Sequence, residues 1–455
     1  MSSPGSLDEG SGEPAPPPPV SFRHALRFWI TLGFINFGGP SGQIALMHEE
    51  LVDRKRWISE GRFLHALAFC MLLPGPEAQQ LAIYIGWLLH RGWGGVVAGV
   101  LFVLPSLLIL VWLSGIYMAF GSLPAVAGVF HGIKPAVTAI VVAAAWRIGS
   151  RAIRSRWLGA IAAAAFVAQF ALRLPFPLIV LAAGLLGALG GRWRPAIFTP
   201  GGAHGTAGGA AARAVIDDAT PTPAHARFSA SRCARVLASC GGLWAAAIGA
   251  LALLQGRDGA LTQMAWFFTK AALLTFGGAY AVLPYVFQGA VEHFHWLSAA
   301  QMMDGLALGE TTPGPLIIVV AFVGFVGAWD QAVADPHAQF LAGAIGAGVV
   351  TFFTFLPSFL FILAGAPFIE STHGKLAFTA PLGAITAAVV GVIANLALFF
   401  AVHVLWPHGM AGPFDLAAAL VGTFAALALM RFKVGVIPVV LACGLAGWVL
   451  SLVGL

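Results

Sequence analysis

Leu73-Pro74-Gly75-Pro76-Glu77 interrupts an apolar helical pattern, and Thr312-Pro313-Gly314-Pro315 interrupts another in the second half of the chain. Pro-Gly-Pro removes two amide donors and frees nearby carbonyls, groups that hydrocarbon cannot satisfy and that protein or a wet cavity must receive. A breaker repeated inside apolar sequence therefore marks a built site. Each is preceded by a second break, Phe37-Gly38-Gly39-Pro40 in the first half and Phe276-Gly277-Gly278-Ala279 in the second.

Around the first pair, helical patterns cover a basic amphipathic start with Arg23 and Arg27, a stretch from Ser41 to the charged cluster Glu49 to Arg56, and residues 63–73 and 76–90. These pieces are about 11–16 residues long, and at ~1.5 Å per residue they fall short of the ~30 Å that a full span needs. They read as two re-entrant helical hairpins with the breaks at their tips. Long apolar spans follow at 93–120 and 124–147, and shorter ones at 156–172 and 175–191.

Composition sets the class: 59% of residues are hydrophobic and 9% charged, with a mean hydropathy of +0.88, outside the globular range. The net charge of +6 comes from bases at the ends of apolar segments, which is a topology signal and not a nucleic-acid footprint. Residues 1–21, with Pro16 to Pro19 in a row, read as a disordered cytoplasmic tail without the apolar core of a signal peptide. Residues 192–234, rich in Gly, Ala, Pro and Thr, read as a flexible cytoplasmic linker. They separate a first repeat, 22–191, from a connecting helix, 235–260, and a second repeat, 261–455.

The repeat is the most specific feature. Setting Phe37 on Phe276 aligns the next forty positions without a gap, matching Gly38/Gly277, Gly39/Gly278, Trp57/Trp296, Ser59/Ser298, Leu67/Leu306, Ala68/Ala307, Pro74/Pro313, Gly75/Gly314 and Pro76/Pro315. With small shifts the echo continues in Leu104-Pro105-Ser106 and Leu356-Pro357-Ser358, and in Thr138 and Thr386. Arg54, Lys55, Arg56, Arg62 and Arg91 place the open ends of the first hairpins in the cytoplasm, and Arg147, Arg151, Arg154 and Arg156 mark a later cytoplasmic loop. One crossing between the halves turns the second repeat over. The expected fold is an all-α polytopic membrane protein, two homologous halves in inverted topology, each with broken hairpins plus long transmembrane helices.

A helix that starts inside the membrane presents free amides and the positive end of its dipole. The starts at Ser41, Glu77, Ala279 and Leu316 are thus candidate anion cradles, approached through Gly38, Gly39, Gly75, Gly277, Gly278 and Gly314. Gln43, Gln79, Gln80, Thr311 and Thr312 offer neutral donors, with helix packing or capping as their ordinary role. Charges at membrane depth are functional candidates: Glu310 is the better proton carrier and Glu77 the second, because Glu77 also suits the dipole of its own helix start. Lys134 either attracts anions or snorkels to the interface. His48, His65 and the four cysteines form no metal-ligand or disulfide pattern, and no cofactor motif is present. Walker, dinucleotide, zinc-protease and Gly-x-Ser-x-Gly signatures are missing, so the chain reads as no enzyme, and its energy comes from ion gradients.

The runs Phe37-Gly38-Gly39-Pro40-Ser41-Gly42-Gln43, Arg56-Trp57-Ile58-Ser59 and Leu73-Pro74-Gly75-Pro76-Glu77-Ala78-Gln79-Gln80 resemble the chromate ion transporter family. Phe276-Gly277-Gly278-Ala279-Tyr280, Asp304-Gly305-Leu306-Ala307-Leu308 and Glu310-Thr311-Thr312-Pro313-Gly314-Pro315 resemble its second-domain pattern, in the two-domain, long-chain form. The resemblance implies proton-motive export of chromate across the inner (plasma) membrane, by a multi-pass protein with a cytoplasmic N-terminus, and hence chromate resistance. Amide-lined helix starts suit a tetrahedral dianion but do not separate chromate from sulfate, so a sulfate exporter and an anion channel remain alternatives. The expected partners are chromate or sulfate, protons and the lipid bilayer, with no nucleic acid; a homo-oligomer is left open.

Overall fold

Every break in the apolar pattern becomes a break in a helix. A computed structural model describes residues 18–37, 39–121, 123–193, 214–217, 223, 225–276, 278–331, 336–371, 379–407 and 409–452. The first half contributes α1 (Phe22–Ile35), α2 (Gly39–His48), α3 (Glu60–Cys70), α4 (Glu77–Phe120), α5 (Pro124–Ala152), α6 (Arg156–Phe170) and α7 (Phe176–Trp193). After the connecting α8 (Ala230–Gln255), the second half contributes α9 (Ala260–Leu274), α10 (Ala279–Phe287), α11 (Ala299–Thr311), α12 (Val319–Gln331), α13 (Pro336–Ser371), α14 (Thr379–Leu405), α15 (Leu416–Met430) and α16 (Val436–Leu452).

Among the described residues six helices are long and apolar enough to cross a membrane, and one of them, α8, has no fully buried residue. Trp93, Trp112, Trp146, Leu253 and Leu254 stand exposed on the outside, as a lipid-facing surface allows. As one straight rod, α4 would be about 66 Å long. It is instead folded at His90 and Arg91, whose backbones leave the helical region (φ −135° and +58°). Its arms, 77–89 and 92–120, pack so closely that a Cβ on Gly86 would lie 2.5 Å from the Gly94 carbonyl oxygen. α12 and α13 repeat that contact at Gly324 and Gly346, also at 2.5 Å.

The halves match in backbone detail. π-helical turns occupy Glu49–Arg54 and Gln288–His293, equivalent positions in the repeat. Arg56 (φ +50°) and His295 (φ +53°) follow, and then helices N-capped by the hydroxyls of Ser59 and Ser298. These caps satisfy amides that open each α-helix.

The hairpin tips of each half are held by the other half. The Gly75 amide donates to the Thr275 carbonyl and the Gly314 amide to the Asn36 carbonyl, both at 2.7 Å; Thr275 and Asn36 are equivalent positions, as are Gly75 and Gly314. Both glycines have positive φ, +126° and +113°, which only glycine adopts without strain. A long helix crosses each tip. Ser106 on α4 donates its hydroxyl to the Pro313 carbonyl, and a Cβ on Gly75 would sit 2.8 Å from the Ser358 hydroxyl on α13.

Farther out, the same long helices make ion pairs with the opposite half. Glu370 on α13 accepts from Arg62 on α3 (3.2 Å) and from Tyr84 on α4 (2.5 Å). Asp304 on α11 accepts from Tyr117 on α4 (2.9 Å) and lies 3.8 Å from Lys134 on α5. Around this core, α5 packs on α14, α15 and α16, while α14 packs on α5, α6 and α7, an exchange of equal partners.

The stretch expected as a flexible linker departs from that reading where it is described. Val215 and Ile216 donate to the carbonyls of Arg56 and Trp57, and Ser59 returns a bond to Ile216. His225 bonds the Trp87 carbonyl at 3.1 Å. Buried Ile216 and Ala226 supply the apolar contact that holds a polar, low-complexity stretch to the first half. α7 and α8 also reach into the expected linker, ending at Trp193 and starting at Ala230. Most of 192–234, and residues 1–17 of the expected tail, lie outside the described residues.

Two outcomes follow for thermal unfolding in detergent. Gly314→Ala lowers stability by about 1–3 kcal/mol and more than Gly75→Ala does, because its new methyl overlaps both the hydroxyl and the Cβ of Ser106, whereas on Gly75 it meets the Gln80 amide at 2.6 Å and only the hydroxyl of Ser358 at 2.8 Å; Ser106→Ala recovers part of the loss in a double-mutant cycle. Arg62→Met, which strands the carboxylate of buried Glu370, costs about 3–5 kcal/mol. Arg54→Met, whose partners Glu49 and Glu50 lie in a solvent-exposed cluster, costs under about 1 kcal/mol.

Candidate functional site

Polar groups gather where the tips cross. At the Gly314 tip, the Gln43 amide donates to the Gly314 carbonyl and reaches Asn36 O at 3.4 Å. Asn36 is fully buried, yet both atoms of its side-chain amide lack a protein partner, as does Gln43 Oε1. At the Gly75 tip, Gln80 donates to the Pro74 carbonyl at 2.8 Å, while Gln80 Oε1 and the Ser358 hydroxyl are buried without a partner. Buried polar atoms are normally hydrogen-bonded, so this concentration marks a place for water or a polar ligand.

The carboxylates converge on one break. Glu77 opens α4 and turns toward the start of α10, its Oε1 3.6 Å from where a Cβ on Gly278 would be; its Oε2 is buried and unpaired. Gly278 (φ +98°) is the N-cap of α10. Two residues on, the Tyr280 hydroxyl donates to Glu310 Oε1 at 2.5 Å. The charge of Arg147, on α5, acts on the Glu310 carboxylate without forming an ion pair within 4.0 Å. Glu310 is thus paired with a hydrogen-bond donor, Tyr280.

The remaining expected residues separate. Gly39 (φ +68°) opens α2 two residues before the start expected at Ser41, and a Cβ there would meet nothing within 4 Å; Ser41 is exposed. The start expected at Leu316 is a single 3-10 turn before α12, because Pro315 withholds the amide that a regular first turn shares. Thr311 and Thr312 bond back to carbonyls of their own helix, at 3.0 and 2.5 Å to Leu308, the capping role. Gln79 turns away to an apolar cavity of about 400 Å³ between α4, α8 and α13, which Thr351 also lines. The Gly75 and Gly314 amides are occupied by carbonyls, so those glycines shape the tips without lending amide donors. Lys134 pairs with Asp304, and His48 sits between Asp53 and Glu60. Gly38 and Gly277 lie outside the described residues.

Asn36, Thr275, Ser106, Ser358, Tyr280 and Arg147 were not singled out from sequence. The Leu-Pro-Ser echo held the signal for the two serines, and Asn36 stands immediately before a break. Arg147 carried the opposite signal, because a base near a helix end reads as a topology charge.

The sequence model of the family described as Chromate transporter matches residues 24–188 and 262–448, one block in each half. The chain is similar to the "Chromate transport protein" of Pseudomonas aeruginosa, 34% identical over 441 residues that cover 95% of this chain and 94% of that one. It is similar to the "Chromate transport protein" of Cupriavidus metallidurans, 31% identical over 420 residues covering 91% and 90%. The "Uncharacterized transporter YwrA" of Bacillus subtilis is 32% identical over 137 residues, 30% of this chain but 76% of that one. No solved structure matches. Two matched blocks on two halves with the same backbone breaks lead to one conclusion: the chain belongs to the chromate transporter family.

Proposed function

We propose that the protein exports chromate from the cytoplasm by alternating access, driven by the proton motive force, and so confers chromate resistance. The observation that carries this reading is the crossing of two broken hairpins, each tip held by the other half, with unpaired buried polar atoms around it. Discontinuous helices of two repeats that meet inside an apolar body form substrate sites in secondary transporters. The two repeats, 22–191 and 261–455, are taken as inverted, with 235–260 as the connecting span. The N-terminus is taken to lie in the cytoplasm and the body in the inner membrane, an orientation the loop bases favour.

A membrane potential, negative inside, itself favours loss of a dianion, by about 4.6 kcal/mol per 100 mV at ~2.3 kcal/mol per charge. The carboxylates give protons a role as well. Ionised Glu77 and Glu310 repel an anion at the Gly278 helix start, and protonated they do not, so a proton binds together with the anion; with one proton the pair still carries one negative charge outward, which the membrane potential drives while the pH gradient opposes it.

In respiring everted vesicles, chromate accumulates and a protonophore abolishes the accumulation. Uptake that survives the protonophore refutes proton-motive driving. Sulfate that competes at equal concentration turns the assignment to a general oxyanion exporter, and flux that neither saturates nor concentrates chromate turns it to a channel.

A further inference from the structure

We propose that the apolar cavity between α4, α8 and α13 binds a long-chain fatty acid in its uncharged form, taken from the bilayer, with the carboxyl head paired to the Gln79 side chain and the tail filling the cavity. The site lies apart from the crossing of the tips and does not depend on the transport reading.

The cavity, of about 400 Å³, is walled by Val100 and Leu104 of α4, Leu243 of α8, and Phe352 and Phe359 of α13. Val100, Leu104 and Leu243 are themselves exposed on the outer surface, and α8 is a candidate membrane span without a fully buried residue. The cavity therefore opens toward lipid, and a hydrocarbon tail enters it without leaving an apolar medium. No charged residue lines it, so an ionised head finds no counter-charge there and the occupant is neutral.

Two side chains on the wall ask for a polar partner. Gln79 is 0% exposed, and both atoms of its amide are unpaired. Thr351, 6% exposed, also has an unpaired hydroxyl. Neighbouring hydroxyls find the local relief that a helix offers: Thr354 donates to the Val350 carbonyl at 2.7 Å, and Ser239 on the cavity wall to the Val236 carbonyl at 3.1 Å. The repeat does not account for the pair either. In the register that sets Phe37 on Phe276 the counterpart of Gln79 is Ile318, and in the Leu-Pro-Ser register the counterpart of Thr351 is Gly99.

Buried polar groups are normally hydrogen-bonded, and an amide lacking both partners is costly. A carboxylic acid meets both atoms at once, its carbonyl accepting from Gln79 Nε2 while its O–H donates to Oε1, and the carbonyl has a second lone pair for the Thr351 hydroxyl. Water would meet the amide but leave the apolar remainder of the cavity unfilled.

The test uses full-length protein in phosphatidylcholine nanodiscs and palmitic acid with a photoreactive diazirine on its tail, cross-linked positions being read by mass spectrometry. Labels fall on the facing walls of α4, α8 and α13. Excess palmitic acid suppresses them, as does hexadecanamide, whose uncharged head offers the same carbonyl and donor; methyl palmitate, which has no donor, is at least about tenfold less effective. Gln79→Leu weakens labelling about tenfold. Gly348→Leu abolishes it by filling the cavity, since Gly348 lines the wall and a Cβ there meets nothing within 4 Å. Labels confined to the outer surface, methyl palmitate competing as well as the acid, or unchanged labelling in folded Gly348→Leu overturns the proposal.

Discussion

Two backbone hydrogen bonds organise the molecule. The amide of each Pro-Gly-Pro glycine is received by a carbonyl at the other half's first break, Gly75 by Thr275 and Gly314 by Asn36. Prolines flanking each glycine remove donors, and the positive φ of the glycine turns its remaining amide outward. Inside an apolar body that amide needs an acceptor, and the acceptor comes from a helix end that has itself lost its intrahelical donors. Each half therefore completes the other, and neither tip is satisfied alone.

The long helices extend that dependence outward. From Ser106 to Tyr117, and from Ser358 to Glu370, α4 and α13 run about 16–18 Å along the opposite half, at ~1.5 Å per residue. Each ends in a tyrosine and charge contact, Tyr117 with Asp304 and Glu370 with Arg62 and Tyr84. Two sets of polar contacts, one beyond each tip, join the same two halves. Docking of Val215 and Ile216 on Arg56 to Ser59 ties the segment between the halves to the base of the first hairpin, next to one of those contacts.

Symmetry of the backbone coexists with asymmetry of charge. The π-helical turns, the positive-φ residues after them and the serine caps occur in both halves at the same repeat positions, while Glu77 and the Tyr280–Glu310 pair lie at the Gly278 break. A duplicated scaffold is free to specialise in this way because the tips need only backbone groups and glycine, which leaves neighbouring side chains open to change.

Sequence alone determined the class, the two halves and the places where helices break, because those depend on local chemistry: apolar length against bilayer thickness, and proline and glycine against helix continuity. It also pointed to Glu77 and Glu310, since charge inside an apolar run is conspicuous wherever the chain goes. What tertiary structure decided was partnership. Thr311 and Thr312 cap their own helix, and Gln79 faces an apolar cavity, outcomes set by helix rotation that a linear pattern does not fix. Asn36, Tyr280 and Arg147 entered the site because residues more than a hundred positions apart were brought together, and Arg147 gained a second meaning. Read along the chain it is a base near a helix end; in the fold its charge also acts on Glu310.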